Sequence, residues 1–169
     1  GVEIEDGMAM GYDANAVNSK STYYKGGAIC VEGNWTTGEQ FLNSSIARPL
    51  VYRSIPLELR NCNFRNNGGC LGGAIFTDSE LKVFACNFVQ NYAKVETDKV
   101  NGTNVTYAGR GGAINASYNT VIVNSLFANN EADTSPSLDG GEQTGVGGAV
   151  LLGEYASLHM INCDVVRNL

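Results

Sequence analysis

The chain is predicted to be all-β, a parallel β-helix (solenoid) of about four to five coils, and three observations carry that expectation. Gly-Gly-Ala followed by a β-branched aliphatic residue occurs four times, at residues 26–29, 72–75, 111–114 and 147–150. Each copy alternates with Phe-x-x-Asn or a near relative: Phe64 with Asn67, Phe88 with Asn91, Phe127 with Asn130, and Val165 with Asn168. The interval from glycine to phenylalanine is also nearly rigid, 16 residues from Gly72 to Phe88, 16 from Gly111 to Phe127, and 18 from Gly147 to Val165. Two motifs alternating in fixed order and spacing define a repeat protein.

Taken in order, residues 1–25 read as a partial N-terminal coil. Val2 and Ile4 alternate as in a strand, Tyr12 and Asn15 repeat the aromatic-x-x-Asn spacing, and Met10 falls in the column of the cysteines if one residue is inserted. Residues 26–169 are the repeat region, with an insertion near 33–55 that holds Trp35, Phe41, Leu50 and Tyr52 and reads as an irregular coil or a flap over one face.

Within each repeat the core positions follow from the offset to the phenylalanine. Seven residues before it stand Leu57, Leu81, Thr120 and Leu158; five before, Leu59, Val83, Ile122 and Met160; two before, Cys62, Cys86, Ser125 and Cys163. Between the first two columns lie Glu58, Lys82, Val121 and His159, which gives the period-2 alternation of a strand with one buried face. The alternation slips by one residue at Asn61, Ala85, Asn124 and Asn162, and asparagine tolerates a left-handed bend better than most side chains. Stacked amides are expected to bond along this bend column, with Ala85 interrupting them. From the asparagine to the next Gly-Gly the chain runs 5 residues after Asn67 but 20 after Asn91 and 17 after Asn130, so variable loops leave the scaffold at one corner.

Composition narrows the function classes. The 169 residues carry a net charge of −6 with only 11 Lys plus Arg, which leaves no basic stripe for nucleic acid or anionic lipid. No run of 18 apolar residues suggests membrane insertion by this segment. No signal-like segment opens the sequence, and Gly1 is not a natural start, so a mature or trimmed piece is expected. Asn34, Asn43, Asn101, Asn104 and Asn115 each open an Asn-x-Ser/Thr triplet, a candidate N-glycosylation site in a secreted protein and a chance product of an Asn-rich repeat otherwise. Cys62 and Cys86 share a column in adjacent coils, where a spacing of about 4.8 Å permits a disulfide. A column of small reduced side chains is the alternative, since Ser125 fills the same slot. Cys30 and Cys70 lie near the glycine turns of adjacent coils and form a second candidate pair, which leaves Cys163 odd and hints at a missing neighbour.

The ordered Gly-Gly-Ala-(Ile/Val) and Phe-x-x-Asn pairs resemble the repeat of the polymorphic outer membrane proteins, adhesins of the chlamydiae, over residues 26–168. That resemblance implies a right-handed β-helix displayed outside the cell for adhesion or surface structure, with no catalytic residues to carry over. Val165 stands where the family has phenylalanine, and the sequons suit a eukaryotic secretory route.

Chemistry gives little to set against this. Glycosidic hydrolysis needs two carboxyl groups at a defined separation, and Asp78, Glu80, Glu96, Asp98, Asp133, Asp139, Glu142 and Glu154 form no cluster that repeats across coils. His159, the only histidine, points outward between Leu158 and Met160, away from any triad or zinc site. The Gly-rich run 140–145 lacks the aspartate of a calcium-binding repeat, and no catalytic residue, metal site or cofactor is assigned. The expectation is a non-catalytic, extracellular or cell-surface adhesive or structural glycoprotein module. Its partners are a cell-surface or matrix component, or copies of itself stacked end to end into a filament, because solenoid ends expose unpaired strand edges. A carbohydrate-binding or polysaccharide-cleaving β-helix is the alternative.

Overall fold

The structure, a computed structural model, describes residues 2–7, 25–31, 34–36, 51–53, 56–100, 103–133, 145–154 and 156–169, and for 34–36, 51–53, 96–100 and 103–107 it describes the backbone alone. Every regular element among these residues is a β-strand. One repeat reads β8 (Ile75–Thr77), β9 (Leu81–Phe84), β10 (Asn87–Val89) and β11 (Tyr92–Ala93). The repeat before it comprises β2 (Ile29–Val31), β5 (Leu57–Arg60), β6 (Cys62–Arg65) and β7 (Gly68–Gly69). After it come β14 (Ile114–Ala116), β15 (Thr120–Val123), β16 (Leu126–Ala128) and β17 (Glu131–Ala132), then β18 (Val150–Leu152), β19 (Leu158–Ile161) and β20 (Asp164–Val166).

Equivalent strands pair in parallel, giving sheets ordered β18-β14-β8-β2, β19-β15-β9-β5 and β17-β11-β7, while β1 (Val2–Glu5) opens the sheet β1-β6-β10-β16-β20. The arrangement is solenoid-like. Register follows the columns read from the sequence: Leu81 lies beside Leu57 and Thr120, Val83 beside Leu59 and Ile122, and Phe88 beside Phe64 and Phe127.

Three left-handed residues per repeat turn the chain between these sheets. In the repeat from Gly72 they are Gly72 (φ 72°), Ala85 (φ 51°) and Gln90 (φ 57°). The expected bend column is confirmed, since Asn61, Asn124 and Asn162 share the conformation and Asn162 Nδ2 donates to Asn124 Oδ1 at 2.7 Å. That bond is exposed, so it adds little. The sequence reading passed over the third bend, at Asp6, Asn66, Gln90, Asn129 and Arg167, where side-chain type varies too much to give a signal.

Inward columns form one hydrophobic core that includes Phe64, Ile75, Leu81, Val83, Phe88, Ile114, Ile122 and Phe127. The phenylalanine rings stack face to face, with centroids 4.8 Å apart for Phe64–Phe88 and 4.7 Å for Phe88–Phe127. Parallel pairing imposes this spacing. Such ring pairs add about 0.5–1.5 kcal/mol each beyond their area burial.

Three details add to or differ from the sequence expectations. Strand β1 pairs Val2 with Cys62 and Ile4 with Phe64, so Val2 and Ile4 take the column positions assigned to Met10 and Tyr12, which lie outside the described residues with Asn15. The long excursion after Asn91 holds an antiparallel hairpin, β12 (Glu96–Val100) with β13 (Thr103–Tyr107). The two residues between the strands are Asn101 and Gly102, a pair favoured in two-residue hairpin connections. The insertion near 33–55 contains its own antiparallel pair, β3 (Asn34–Thr36) with β4 (Val51–Arg53), rather than a further strand of the stacked sheets.

Candidate functional site

The asparagine of each Phe-x-x-Asn is buried at the corner that follows the third bend. Asn91 Oδ1 accepts the Asn67 N–H at 3.1 Å and Asn67 Nδ2 at 2.9 Å; Asn130 Oδ1 accepts the Asn91 N–H at 3.0 Å and Asn91 Nδ2 at 2.9 Å. The second amide hydrogen goes to the carbonyl of the preceding repeat, from Asn91 to Phe64 at 3.1 Å and from Asn130 to Phe88 at 3.0 Å. Each interior amide therefore uses both hydrogens and accepts twice. A buried polar group is tolerated only on such terms, and among the described residues no buried side-chain nitrogen or oxygen lacks a partner.

The ladder has a direction, so its two ends differ. At one end Asn67 Oδ1 accepts, among the described residues, the Gly7 N–H at 2.9 Å, where interior members accept two bonds. At the other, Asn168 Oδ1 accepts from Asn130 at 2.8 and 2.9 Å, while its Nδ2 donates to Phe127 O at 3.0 Å, as interior members do to theirs, and to Val166 O two residues away at 3.2 Å. No acceptor for the Asn168 N–H is found among the described residues. Around Asn168 the phenylalanine column is open, with Val165 53% exposed where Phe127 is 0%, while Ile161 and Val166, in outward columns, and Leu169 are exposed. Among the described residues, one end thus leaves the Asn168 N–H without an acceptor, and at the other Asn67 Oδ1 accepts one bond fewer than the interior members.

The cysteine column does local hydrogen-bonding work. Cys62, Cys86 and Cys163 Sγ and Ser125 Oγ each donate to the carbonyl two residues earlier, at 3.2, 3.3, 3.3 and 2.9 Å. In return the Cys62 N–H donates to Cys86 Sγ at 3.4 Å, and the Cys86 N–H to Ser125 Oγ at 3.1 Å. Serine fits because the position asks for a small donor and acceptor. Burial pushes the Cys86 thiol above its ordinary value, against the pull of the Cys62 N–H. No disulfide joins Cys62 to Cys86, which remain thiols. Nor is Cys30 joined to Cys70: Cys30 registers with Phe76, whereas Cys70 is buried beside Leu71, which bridges Lys25.

The sequons scatter away from this column. Asn104 lies in the β12–β13 hairpin opposite Lys99, Asn34 in the β3–β4 pair opposite Arg53, and Asn43 and Asn101 fall outside the described residues. Asn115 sits between Phe76 and Leu151 in the middle of a parallel sheet and is only 9% exposed, which leaves little room for an oligosaccharide.

Outward groups remain dispersed. Asp78 accepts Ser117 Oγ at 2.6 Å, His159 is exposed on β19, and among the described residues no three His, Cys, Asp or Glu side chains converge on a metal position. A cleft of about 190 Å³ on the outer face of β6 and β10 is lined by Asn63, Phe64, Arg65, Asn87, Val89 and Leu126. Asn87 Nδ2 donates to Asn63 Oδ1 at 2.7 Å across it. No helix among the described residues is long and apolar enough to cross a membrane. Comparison with protein-family models, with curated proteins and with solved structures finds no match for this chain.

Proposed function

We propose that this chain is a non-catalytic structural or adhesive module of a cell surface or extracellular matrix, a right-handed parallel β-helix of about four to five coils whose ends pair with further strands. The observation that carries the reading is the asparagine ladder, whose amides are satisfied by one another from repeat to repeat, so that the motif residues serve stacking. Among the described residues, side chains serve stacking and no three His, Cys, Asp or Glu side chains converge. The likeness of the motifs to the polymorphic outer membrane protein repeat supports an adhesive or structural role, and the Asn34, Asn43, Asn101 and Asn104 sequons support a secreted glycoprotein.

The outer-face cleft favours a second reading, a carbohydrate-binding protein, because its amides and the Arg65 guanidinium suit hydroxyl groups. One pair of assays separates the two. Surface labelling of intact source cells, joined to imaging of the native material, should find the protein outside the cell in end-joined arrays. Release of reducing ends from polysaccharides, or saturable oligosaccharide binding lost in Arg65→Ala, would replace the structural reading by the second.

A further inference from the structure

Beyond its part in hydrogen bonding, the cysteine column sets two thiols side by side between adjacent repeats. The register of β6, β10, β16 and β20 orders this column as Cys62, Cys86, Ser125 and Cys163. Cys62 and Cys86 are its one adjacent pair of thiols. Ser125 holds Cys163 two strand spacings from Cys86, about 9.6 Å and beyond the reach of a disulfide, whereas one spacing, about 4.8 Å, lies within it. The Cys62 N–H donates to Cys86 Sγ at 3.4 Å, so the sulfur of one repeat already lies against the backbone of the other. Cys30 stands in a different sheet, beside Phe76.

We propose that Cys62 and Cys86 are a reversible redox pair, which a small disulfide such as oxidised glutathione converts into a covalent link between the two repeats and which a thiol reopens. Half-buried Cys62 is the entry thiol, and buried Cys86 resolves. The Cys62 thiolate attacks one sulfur of glutathione disulfide, forming a mixed disulfide and releasing one glutathione. Cys86 Sγ then attacks Cys62 Sγ, and the second glutathione leaves with the electron pair of the broken bond. Both cysteine protons end on the two glutathione thiols, so two cysteines are oxidised and one glutathione disulfide is reduced. Burial holds the proton on Cys86 more firmly than usual, which suits the second step and not the first.

Closure disturbs little of the fold. Each sulfur gives up one weak S–H bond, from Cys62 to Arg60 O at 3.2 Å and from Cys86 to Phe84 O at 3.3 Å. Hydrogen bonding alone does not require sulfur here, because Ser125 makes the equivalent contacts with Val123 O at 2.9 Å and the Cys86 N–H at 3.1 Å. In-register parallel strands hold their Cβ atoms near the strand spacing of about 4.8 Å, slightly beyond the usual ~3.5–4.5 Å of a disulfide. The closed bond is therefore strained and readily reduced. Its effect is local to one interface. A repeat in a solenoid touches only its neighbours, so a bond across residues 24 apart ties the β5–β6 repeat to the β9–β10 repeat and restricts the unfolded chain between them.

The full chain, first reduced, is equilibrated in glutathione buffers spanning reduced to oxidised, then quenched in acid, alkylated and mapped by peptide mass. Expected is one intramolecular disulfide, Cys62–Cys86, with a thermal midpoint about 5–10 °C above that of the reduced protein. Dithiothreitol should reverse both. Cys62→Ser, which keeps the hydrogen bonds as Ser125 does, should abolish the bond and the shift together. In Cys86→Ser, glutathione should remain on Cys62 because the resolving thiol is gone. Cys62 and Cys86 alkylated at every buffer ratio, glutathione retained on Cys62 in the parent chain, other cysteines joined while these two stay reduced, or a Cys62–Cys86 bond that leaves the midpoint unmoved would each overturn the proposal. The surface-module reading stands apart from all of these outcomes, since it is decided by where the native protein is found.

Discussion

Replacing Asn130 by leucine should destabilise the protein far more than any substitution at the neighbouring bend column. Asn130 is fully buried; its Oδ1 accepts two hydrogens from Asn91, and its Nδ2 donates to Phe88 O and Asn168 Oδ1. Leucine is close in volume but leaves the Asn91 N–H and one Asn91 amide hydrogen without an acceptor. Each orphaned buried donor costs about 1–3 kcal/mol, and the added apolar burial returns about 1–2 kcal/mol. A net loss of about 3 kcal/mol is expected, a large share of the 5–15 kcal/mol that typical domains possess. Asn124→Ala is the control. Asn124 has φ 52° and an exposed bond to Asn162, and Ala85 already occupies the equivalent position at φ 51°. Its cost should stay near 1 kcal/mol, the penalty of a left-handed alanine. Urea titration followed by circular dichroism compares the two, and equal midpoints for Asn130→Leu and Asn124→Ala would refute the claim that the buried ladder, rather than the bends, holds the repeats together.

Other consequences are open to simpler measurements. Gly112→Ala should prevent folding or lower stability by several kcal/mol, on the order of a severe backbone clash, because a Cβ there meets the Gly148 carbonyl oxygen and, at 2.6 Å, the Glu131 nitrogen; a thermal midpoint within a degree or two of the parent would contradict the packing. Protein from a glycosylating host should carry glycan at Asn104 or Asn101 and none at Asn115, as intact mass and peptide mapping would reveal. Cys86 should alkylate more slowly than Cys62 or Cys163 in the native state. Its folded thiol holds its proton to higher pH than the unfolded one, so its contribution to stability is complete below the unfolded value and declines as pH rises through it towards the folded value. Cys86→Ser should flatten that alkaline decline.

Much of the fold was legible because β stacking repeats one chemical environment at a constant offset. Phe64, Phe88 and Phe127 sit in register as their spacing required, and the bend at Asn61, Ala85, Asn124 and Asn162 was visible as a slip in alternation. The third bend was not legible, since Asn66, Gln90, Asn129 and Arg167 share a conformation and no side-chain chemistry. Register at the N-terminal edge failed for a related reason. Ile4 and Gly7 keep the geometry of Phe-x-x-Asn without its residues, while Tyr12 and Asn15 keep the residues. The β12–β13 hairpin carried an Asn-Gly signal that went unused. For the candidate site, the motif asparagines were recognised as a repeat but not as a directional ladder, because direction exists only once the coils are stacked.

The central claim is that like residues of successive repeats stack in parallel register, and ring-to-ring nuclear Overhauser contacts among selectively labelled phenylalanines test it most directly. With centroids 4.8 and 4.7 Å apart in sequence order, the account predicts strong Phe64–Phe88 and Phe88–Phe127 contacts and none between Phe64 and Phe127. A direct Phe64–Phe127 contact, or no contact among the three rings in the folded protein, would contradict it.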